Sequence, residues 1–343
     1  MARLPLVSPL DRALFLKAQP YLEGLAPHAI AALGQYTEER AFVAGEVIHE
    51  AGDAPDRIYF LASGRVRTQY PDAEPFDVAA PGGVGLVDCL AESEAPPRVW
   101  AVEDTFALSL GAIELAQLME DDFLLYETLA RSLSRVGLEE RRLQGARRSA
   151  EPGFPDMGDE SNRQPSLDLV HRIARARRAP FFEGSDLTVL TELLRYQQPR
   201  SVSKGELLWE RDEPSESLAL ILDGSLATLD EGEPCIHPAG AMLGVWEVFG
   251  SEDRLEETRA HEDARVLEID RALFTDLLED HAGFAMDFLS KLARRLIDLR
   301  YGSVGRAGSL EKSSAEDSES SENASGSTGP GKSEKGNGGR DSL

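Results

Sequence analysis

The sequence predicts a mainly β protein with flanking helices, in which one domain is built twice. Three observations predict it. The stretch "GEVIHEAGDAPDRIYFLASG", Gly45 to Gly64, returns without a gap as "GELLWERDEPSESLALILDG", Gly205 to Gly224. Both stretches contain short runs of β-branched and aromatic residues bounded by turn residues. The length of 343 residues exceeds one typical domain.

The repeat sets the boundaries. Pro20, Glu23 and Gly24 return as Pro180, Glu183 and Gly184, and Gly45, Glu46, Glu50 and Gly64 return as Gly205, Glu206, Glu210 and Gly224, all at an offset of 160. The offset then slips to 159, pairing Gly85 with Gly244, Asp104 with Asp263, Leu108 with Leu267 and Leu118 with Leu277. One net deletion across so long a unit indicates a duplicated domain; solenoid units would recur every ~20 to 50 residues.

Within each copy the order is the same. A short N-terminal segment (1–19) and a helical entry precede Gly45. The runs "IYFLASGRVRTQY" and "LALILDGSLATL" follow as strands, each with a glycine where a tight bend or bulge would sit. Strands of this length and spacing fit a sandwich or barrel. Each copy closes with a helix. Leu125, Leu129, Leu133 and Val136 form an apolar stripe in the first, and Phe284, Phe288, Leu292, Leu296 and Leu299 in the second. Such stripes cover a core or pair with another helix.

The expected domains are therefore 20–148 and 167–302. Between them, 149–166 is rich in Pro, Gly and acid and reads as a flexible linker. The stretch 303–343 lacks aromatic residues and reads as a disordered low-complexity tail.

Charge and cysteine content narrow the function classes. The formal net charge is −25, and the tail, with five basic and seven acidic residues, carries only −2 of it. An acidic folded part repels nucleic acid and anionic membrane and suits a basic protein surface. Two cysteines, Cys89 and Cys235, at non-equivalent positions do not make a disulfide framework and fit a reducing, cytoplasmic setting. Pro5, Pro9 and Asp11 interrupt the N-terminus before a signal-peptide core can form. No run reaches the ~18 apolar residues of a membrane span.

The G-E…G-D…G frame of Gly45, Glu46, Gly52, Asp53 and Gly64, together with "AVEDTFALSL" and "AHEDARVLEI", resembles the cyclic-nucleotide-binding domains of catabolite activators and kinase regulatory subunits. The resemblance covers about Pro20 to Arg142 and Pro180 to Tyr301. It implies two tandem β-rolls of the double-stranded β-helix or jelly-roll type, each eight-stranded with flanking helices. It also implies a cyclic nucleotide, cAMP or cGMP, as ligand, and a kinase as one class of protein partner. A homodimer is compatible with it.

That family holds its ligand with a phosphate-binding cassette, F-G-E-L-A-L followed by P-R-x-A-x-V. The resemblance assigns the glycine to close backbone approach and the following helix to the anion. It gives the arginine the phosphate oxygens and the glutamate the ribose 2′-hydroxyl. In copy one, "VGLVDCLAESEAPPRVWAVED", Gly85 is present, Leu86 replaces the glutamate, and Arg98 follows a proline but stands three residues past the expected slot, Ala95. In copy two, "LGVWEVFGSEDRLEETRAHED", Gly244 is present, Val245 replaces the glutamate, and Arg254 is in register. The second set, Gly244, Val245 and Arg254, is the stronger candidate ligand site; Gly85, Leu86 and Arg98 form the weaker one. An apolar residue at the acid position leaves the sugar hydroxyl unpaired, a loss of about 1–3 kcal/mol. Asp88 and Glu247 follow their glycines by three positions. That two-residue shift turns a helical side chain by about 200°, so both are read as first-turn acids facing away from a sugar.

Other constellations point away from catalysis. The six histidines form neither H-x-H nor H-E-x-x-H, and no Walker A or G-x-S-x-G sequence occurs. A non-enzymatic role is expected, with no metal. Kinase regulatory subunits carry an R-R-x-small inhibitor segment before their first nucleotide domain. Here "ARARRAP", Ala174 to Pro180, precedes the second domain and reads as a solvated basic helix paired with the acidic surface nearby. A transcription factor would need a winged helix-turn-helix of ~60–80 ordered residues after the second domain. Two function classes remain: a ligand-responsive regulatory protein acting through protein contacts, and an interaction scaffold whose sites have decayed.

Overall fold

The computed structural model describes residues 8–19, 22–144, 150–153, 168–229, 233–251 and 253–301. The expected tail and most of the expected linker lie outside these residues. The described residues all belong to one compact unit.

Each copy repeats the same element order. Copy one opens with helices α1 (Pro9–Lys17) and α2 (Pro27–Tyr36). Ser8 starts α1 with a capping box, its hydroxyl accepting from the Asp11 N–H while Asp11 reaches back to the Ser8 backbone. The roll follows as β1 (Glu38–Phe42), β2 (Val47–His49), β3 (Arg57–Ser63), β4 (Arg65–Gln69), β5 (Phe76–Ala79) and β6 (Gly82–Val84). A six-residue helix, α3 (Leu86–Ala91), precedes β7 (Arg98–Ala101) and β8 (Thr105–Gly111). The copy ends in α4 (Ala112–Asp121) and the long α5 (Phe123–Gln144). All strand pairs are antiparallel, in two four-stranded sheets ordered β1-β8-β3-β6 and β2-β7-β4-β5.

Copy two reproduces this with α6 (Leu169–Ala176), α7 (Leu187–Arg195) and strands β9 (Arg200–Val202), β10 (Leu207–Trp209), β11 (Ser217–Asp223), β12 (Ser225–Leu229), β13 (Cys235–Pro238) and β14 (Met242–Leu243). Helix α8 (Val245–Gly250), β15 (Glu257–Ala260), β16 (Ala264–Asp270), α9 (Arg271–Asp280) and α10 (Ala282–Tyr301) complete it. Its sheets are β9-β16-β11-β14 and β10-β15-β12-β13, the same orders shifted by eight strands. The eight-stranded roll implied by the family resemblance is therefore observed twice, as the repeat requires. The ladder slips between Leu61 and Ser63 and between Ile221 and Asp223, at the predicted bends beside Gly64 and Gly224.

The rolls are filled unequally. The interior of copy two holds Val202, Leu208, Trp209, Ile221, Leu243 and Val266 among others, whereas that of copy one rests on Leu61, Val66, Val84, Val99 and Ala107. A third and larger apolar cluster runs through both copies and contains the stripes of α5 and α10.

Those two helices cross over. Helix α5 of copy one packs on α8 of copy two, and α10 of copy two packs on α3 of copy one. Trp246 of α8 lies against Gly137 of α5, where an added Cβ would come within 2.4 Å of the indole. In the reciprocal contact, Arg294 of α10 donates to the Ala91 carbonyl at 2.6 Å. Gln144 of α5 donates to the Leu299 carbonyl, tying the ends of the two long helices together.

Four residues of the segment read as a linker, 150–153, are described, and they are held. Glu151 is buried and its carboxylate pairs with Arg295 at 3.0 Å and with Arg141 at 3.6 Å. Its N–H donates to Nδ1 of His237, whose other nitrogen meets the Thr228 hydroxyl at 3.0 Å. Arg141 also faces Glu256 at 3.6 Å. Burial opposes its charge, but Glu256, Glu247 and Glu151 outweigh burial and hold its pKa above the ordinary value. Composition hides this: a Pro- and Gly-rich stretch reads as a loop, and only a burial pattern reveals that one of its acids meets two arginines. The basic helix "ARARRAP" is likewise engaged, with Arg175 paired to Asp223.

Candidate ligand site

The two cassettes have the same backbone. Gly85 and Gly244 each adopt a left-handed conformation, with φ of 88° and 83°, and begin α3 and α8. A Cβ at Gly85 would sit 2.4 Å from the Arg57 carbonyl oxygen, and one at Gly244 would sit 2.6 Å from the Arg254 guanidinium. The fold therefore demands glycine at both positions, whatever lies beside them. Retention of the glycine in sequence carries no information about a ligand.

The side chains around the two glycines differ. In copy two, Arg254 is 2% exposed and its guanidinium stacks on the indole of Trp209, 3.6 Å from the ring centroid. One terminal nitrogen donates to the carbonyl and the hydroxyl of Ser217, at 2.6 and 3.1 Å. Val245, Trp246, Glu247, Val248 and Phe249 are all buried, in the helix that packs on α5. The arginine that sequence register selects thus contacts Trp209 and Ser217 of its own domain, with two of its nitrogens left without a hydrogen-bond partner among the described residues, and the cassette helix packs on the neighbouring domain.

In copy one the corresponding space is open. A cavity of about 550 Å³ is lined by the end of β4, by β5, by Gly82 through Asp88, by α5 and by the last turn of α10. The offset of the repeat explains the difference residue by residue. Where copy two has Trp209, Ala241, Met242 and Arg254, copy one has His49, Gly82, Gly83 and Ala95. Each exchange leaves a smaller side chain in copy one, and of the four positions Gly82 and Gly83 line the cavity. The registers agree, since Val84 pairs with Tyr59 as Leu243 pairs with Ala219.

Of the residues selected from sequence in copy one, Gly85 and Leu86 line the cavity and Arg98 does not. Arg98 opens β7 and points to the surface, where it pairs with Glu50 at 3.1 Å and lies over Trp100. Asp88, expected to face away from a sugar, also lines the cavity, as does Leu86 on the other side of the first turn of α3. Asp88 is buried and accepts the Tyr70 hydroxyl at 2.8 Å. Burial outweighs that hydrogen bond and pushes the Asp88 carboxyl above its usual range. Its counterpart Glu247 is buried among the interdomain contacts near Arg141.

Sequence reasoning misses the aromatic and cationic parts of the wall. Tyr301, the last residue of α10, stacks on Tyr70 with ring centroids 4.0 Å apart and on Phe76 at 5.8 Å. Arg300 lines the same side and pairs with Glu140 of α5 at 2.7 Å. Ser132, Arg135 and Val136 present one face of α5 to the cavity. Only a comparison of side-chain volumes between the copies would locate the open site. Nothing in the local sequence announces that α10 of the other copy completes it.

Comparison with known proteins agrees with this architecture. The chain matches the cyclic nucleotide-binding domain family over residues 39–122 and 199–281. It is 31% identical over 125 residues to the cyclic AMP receptor protein of Thermus thermophilus, covering 35% of this chain and 58% of that protein. It is 24% identical over 161 residues to an uncharacterised NTE family protein of Mycobacterium tuberculosis, covering 47% of this chain and 27% of the relative. The chain thus spans little more than a quarter of that relative's length. Among solved structures it is similar to the regulatory domain of Toxoplasma gondii PKA with cAMP, at 15% identity and a TM-score of 0.32, with 82% of this chain and 95% of that one covered. With two family matches falling on the two rolls, the chain is a tandem cyclic-nucleotide-binding-domain protein.

Proposed function

We propose that the chain is a non-enzymatic, ligand-responsive regulatory protein in which copy one senses and copy two serves as its structural partner. The observation that supports this is the cavity of about 550 Å³ beside Gly85, set against the packed Arg254–Trp209 pair beside Gly244. The ligand class is a cyclic nucleotide or a close chemical relative, because the cavity lies at the position the family uses and carries both an aromatic and a cationic wall. Ligand in the cavity touches α10, and α10 also holds Arg295 in the buried cluster around Glu151. Occupancy would thereby reach the segment joining the copies. The output is contact with a protein partner, and the net charge of −25 favours a basic one.

Thermal shift with cAMP and cGMP tests this. A ligand at a hundred times its Kd stabilises the folded state by about 2.7 kcal/mol. The variant Gly83→Met places the copy-two residue at a position lining the cavity, where a Cβ is tight against the Tyr59 carbonyl oxygen at 3.3 Å, so a melt of the variant without ligand is run alongside. The expected result is a shift in the native chain that Gly83→Met abolishes. A shift that survives Gly83→Met and disappears on altering copy two would sink the assignment.

A further inference from the structure

The cavity lacks the arginine that the family's cassette would supply, yet it is not without a cation. Arg98 is turned away and paired with Glu50. Arg135, in the middle of α5, lines the cavity, and among the described residues it makes no hydrogen bond or ion pair. Its neighbours explain why it stays in place. Ser134 and Arg135 lie under Gly250 of α8, so the backbone at this point of α5 is clamped by copy two. Three carboxylates share the wall: Glu23, Asp77 and Asp88. Asp77 is held by Arg67 in a two-pronged pair, at 2.6 and 3.1 Å. Asp88 is taken by Tyr70, and burial favours its neutral form. The second cation, Arg300, is paired with Glu140. Arg135 is therefore the cation in this wall whose charge no partner among the described residues answers. The same wall carries the rings of Tyr70, Phe76 and, from the end of α10, Tyr301.

We propose that Arg135 binds the anionic group of the cavity's ligand, in place of the cassette arginine, so that phosphate is read from the helix side of the roll. The ligand class is an aromatic ring carrying a phosphate, with the ring against Tyr70 and Tyr301. The acid that would hold a ribose hydroxyl is Leu86 here, so the phosphate contact carries most of the discrimination. This rests on copy one being the sensing site.

Calorimetry on the full chain with three probes, cAMP, 5′-AMP and adenosine, tests the assignment. The comparison is among native protein, Arg135→Gln, Arg98→Gln and the wall-filling Gly83→Met. Arg135 is exposed and makes no hydrogen bond or ion pair among the described residues, so its variant should keep the native melting temperature, which a parallel melt checks. Loss of one charge-assisted contact predicts a fall of at least about 10-fold for both phosphorylated probes in Arg135→Gln, with adenosine unchanged. Arg98→Gln should change nothing. If Gly83→Met abolishes binding while Arg135→Gln does not weaken it, the cavity is the site and Arg135 is not the anion ligand. If Arg98→Gln is the variant that loses the phosphorylated probes, the proposal is overturned in favour of the cassette arginine. If none of the three probes binds native protein, the sensing role of the cavity falls together with the role of Arg135.

Discussion

The two rolls share strand order, bends, cassette glycines and closing helices, and they differ in what fills them. Copy two has Trp209, Ala241, Met242 and Arg254 where copy one has His49, Gly82, Gly83 and Ala95; Trp209 and Ala241 belong to the roll interior, Met242 to the larger cluster shared with the helices, and Arg254 stacks on Trp209. Two of these exchanges, at Gly82 and Gly83, fall on the wall of the cavity of about 550 Å³ in copy one. The fold is carried by backbone geometry and alternating apolar positions, which both copies keep. The site is carried by volume, which only one copy leaves open. Arg254 stands where a phosphate-binding arginine would stand; it stacks on Trp209 and donates to Ser217 through one terminal nitrogen, while its other two nitrogens are buried without a hydrogen-bond partner among the described residues.

The largest expected effect lies at the crossed helices. Trp246 is buried against Gly137, so Trp246→Ala should cost about 3–5 kcal/mol in urea unfolding. The matching change in copy one, Val87→Ala, removes two methyl groups from a partly buried site and should cost about 1–2 kcal/mol. Equal costs would show that the two cross-contacts are equivalent and break the asymmetry.

A second difference is chemical. His237 is buried in copy two and copy one has Val78 at that place. Burial, helped by Arg141, pulls the imidazole pKa down to about 3. The unfolded chain binds that proton below about pH 6.5, so the folded state loses stability as pH falls through this range. Native protein should be about 2–3 kcal/mol less stable at pH 4.5 than at pH 6.5 from this group. His237→Gln should flatten that dependence. A slope unchanged in the variant would remove His237 from the account.

A smaller contrast concerns the two arginines. Arg254→Ala should destabilise by about 2 kcal/mol, through the lost stacking on Trp209 and the lost donors to Ser217. Arg98→Ala breaks an exposed pair and should cost less than about 1 kcal/mol. Equal melting temperatures for the two variants would mean that Arg254 is not a packing residue.

Much of the fold is legible in the sequence because it depends on short-range rules. The 160-residue repeat, the β-rich runs and the glycines at Gly64 and Gly224 each act within a few residues of themselves. The stripes on α5 and α10 announce buried faces, without saying that each face meets the other copy. The site is less legible because it depends on absence and on distance. A cavity is the sum of side chains that are small, and Tyr301 reaches Tyr70 from far along the chain. Sequence reasoning places Leu86 and Asp88 on different sides of the first turn of α3, but both line the cavity, because it wraps around that turn. Glu151 escapes it because its partners, Arg141 and Arg295, come from helices of different copies.

The crossing of α5 and α10 has a further consequence. In a two-fold assembly of identical chains every substitution appears twice, once on each side of the axis. A residue that closed one site would close both. Here the two sides are encoded separately, and each long helix covers a neighbour whose sequence can drift without its twin. Tryptophan and arginine can then fill one half, adding packing to the whole, while the other half stays hollow. Joining the halves in one polypeptide releases the symmetry, and with it the conflict between a firm core and an open pocket.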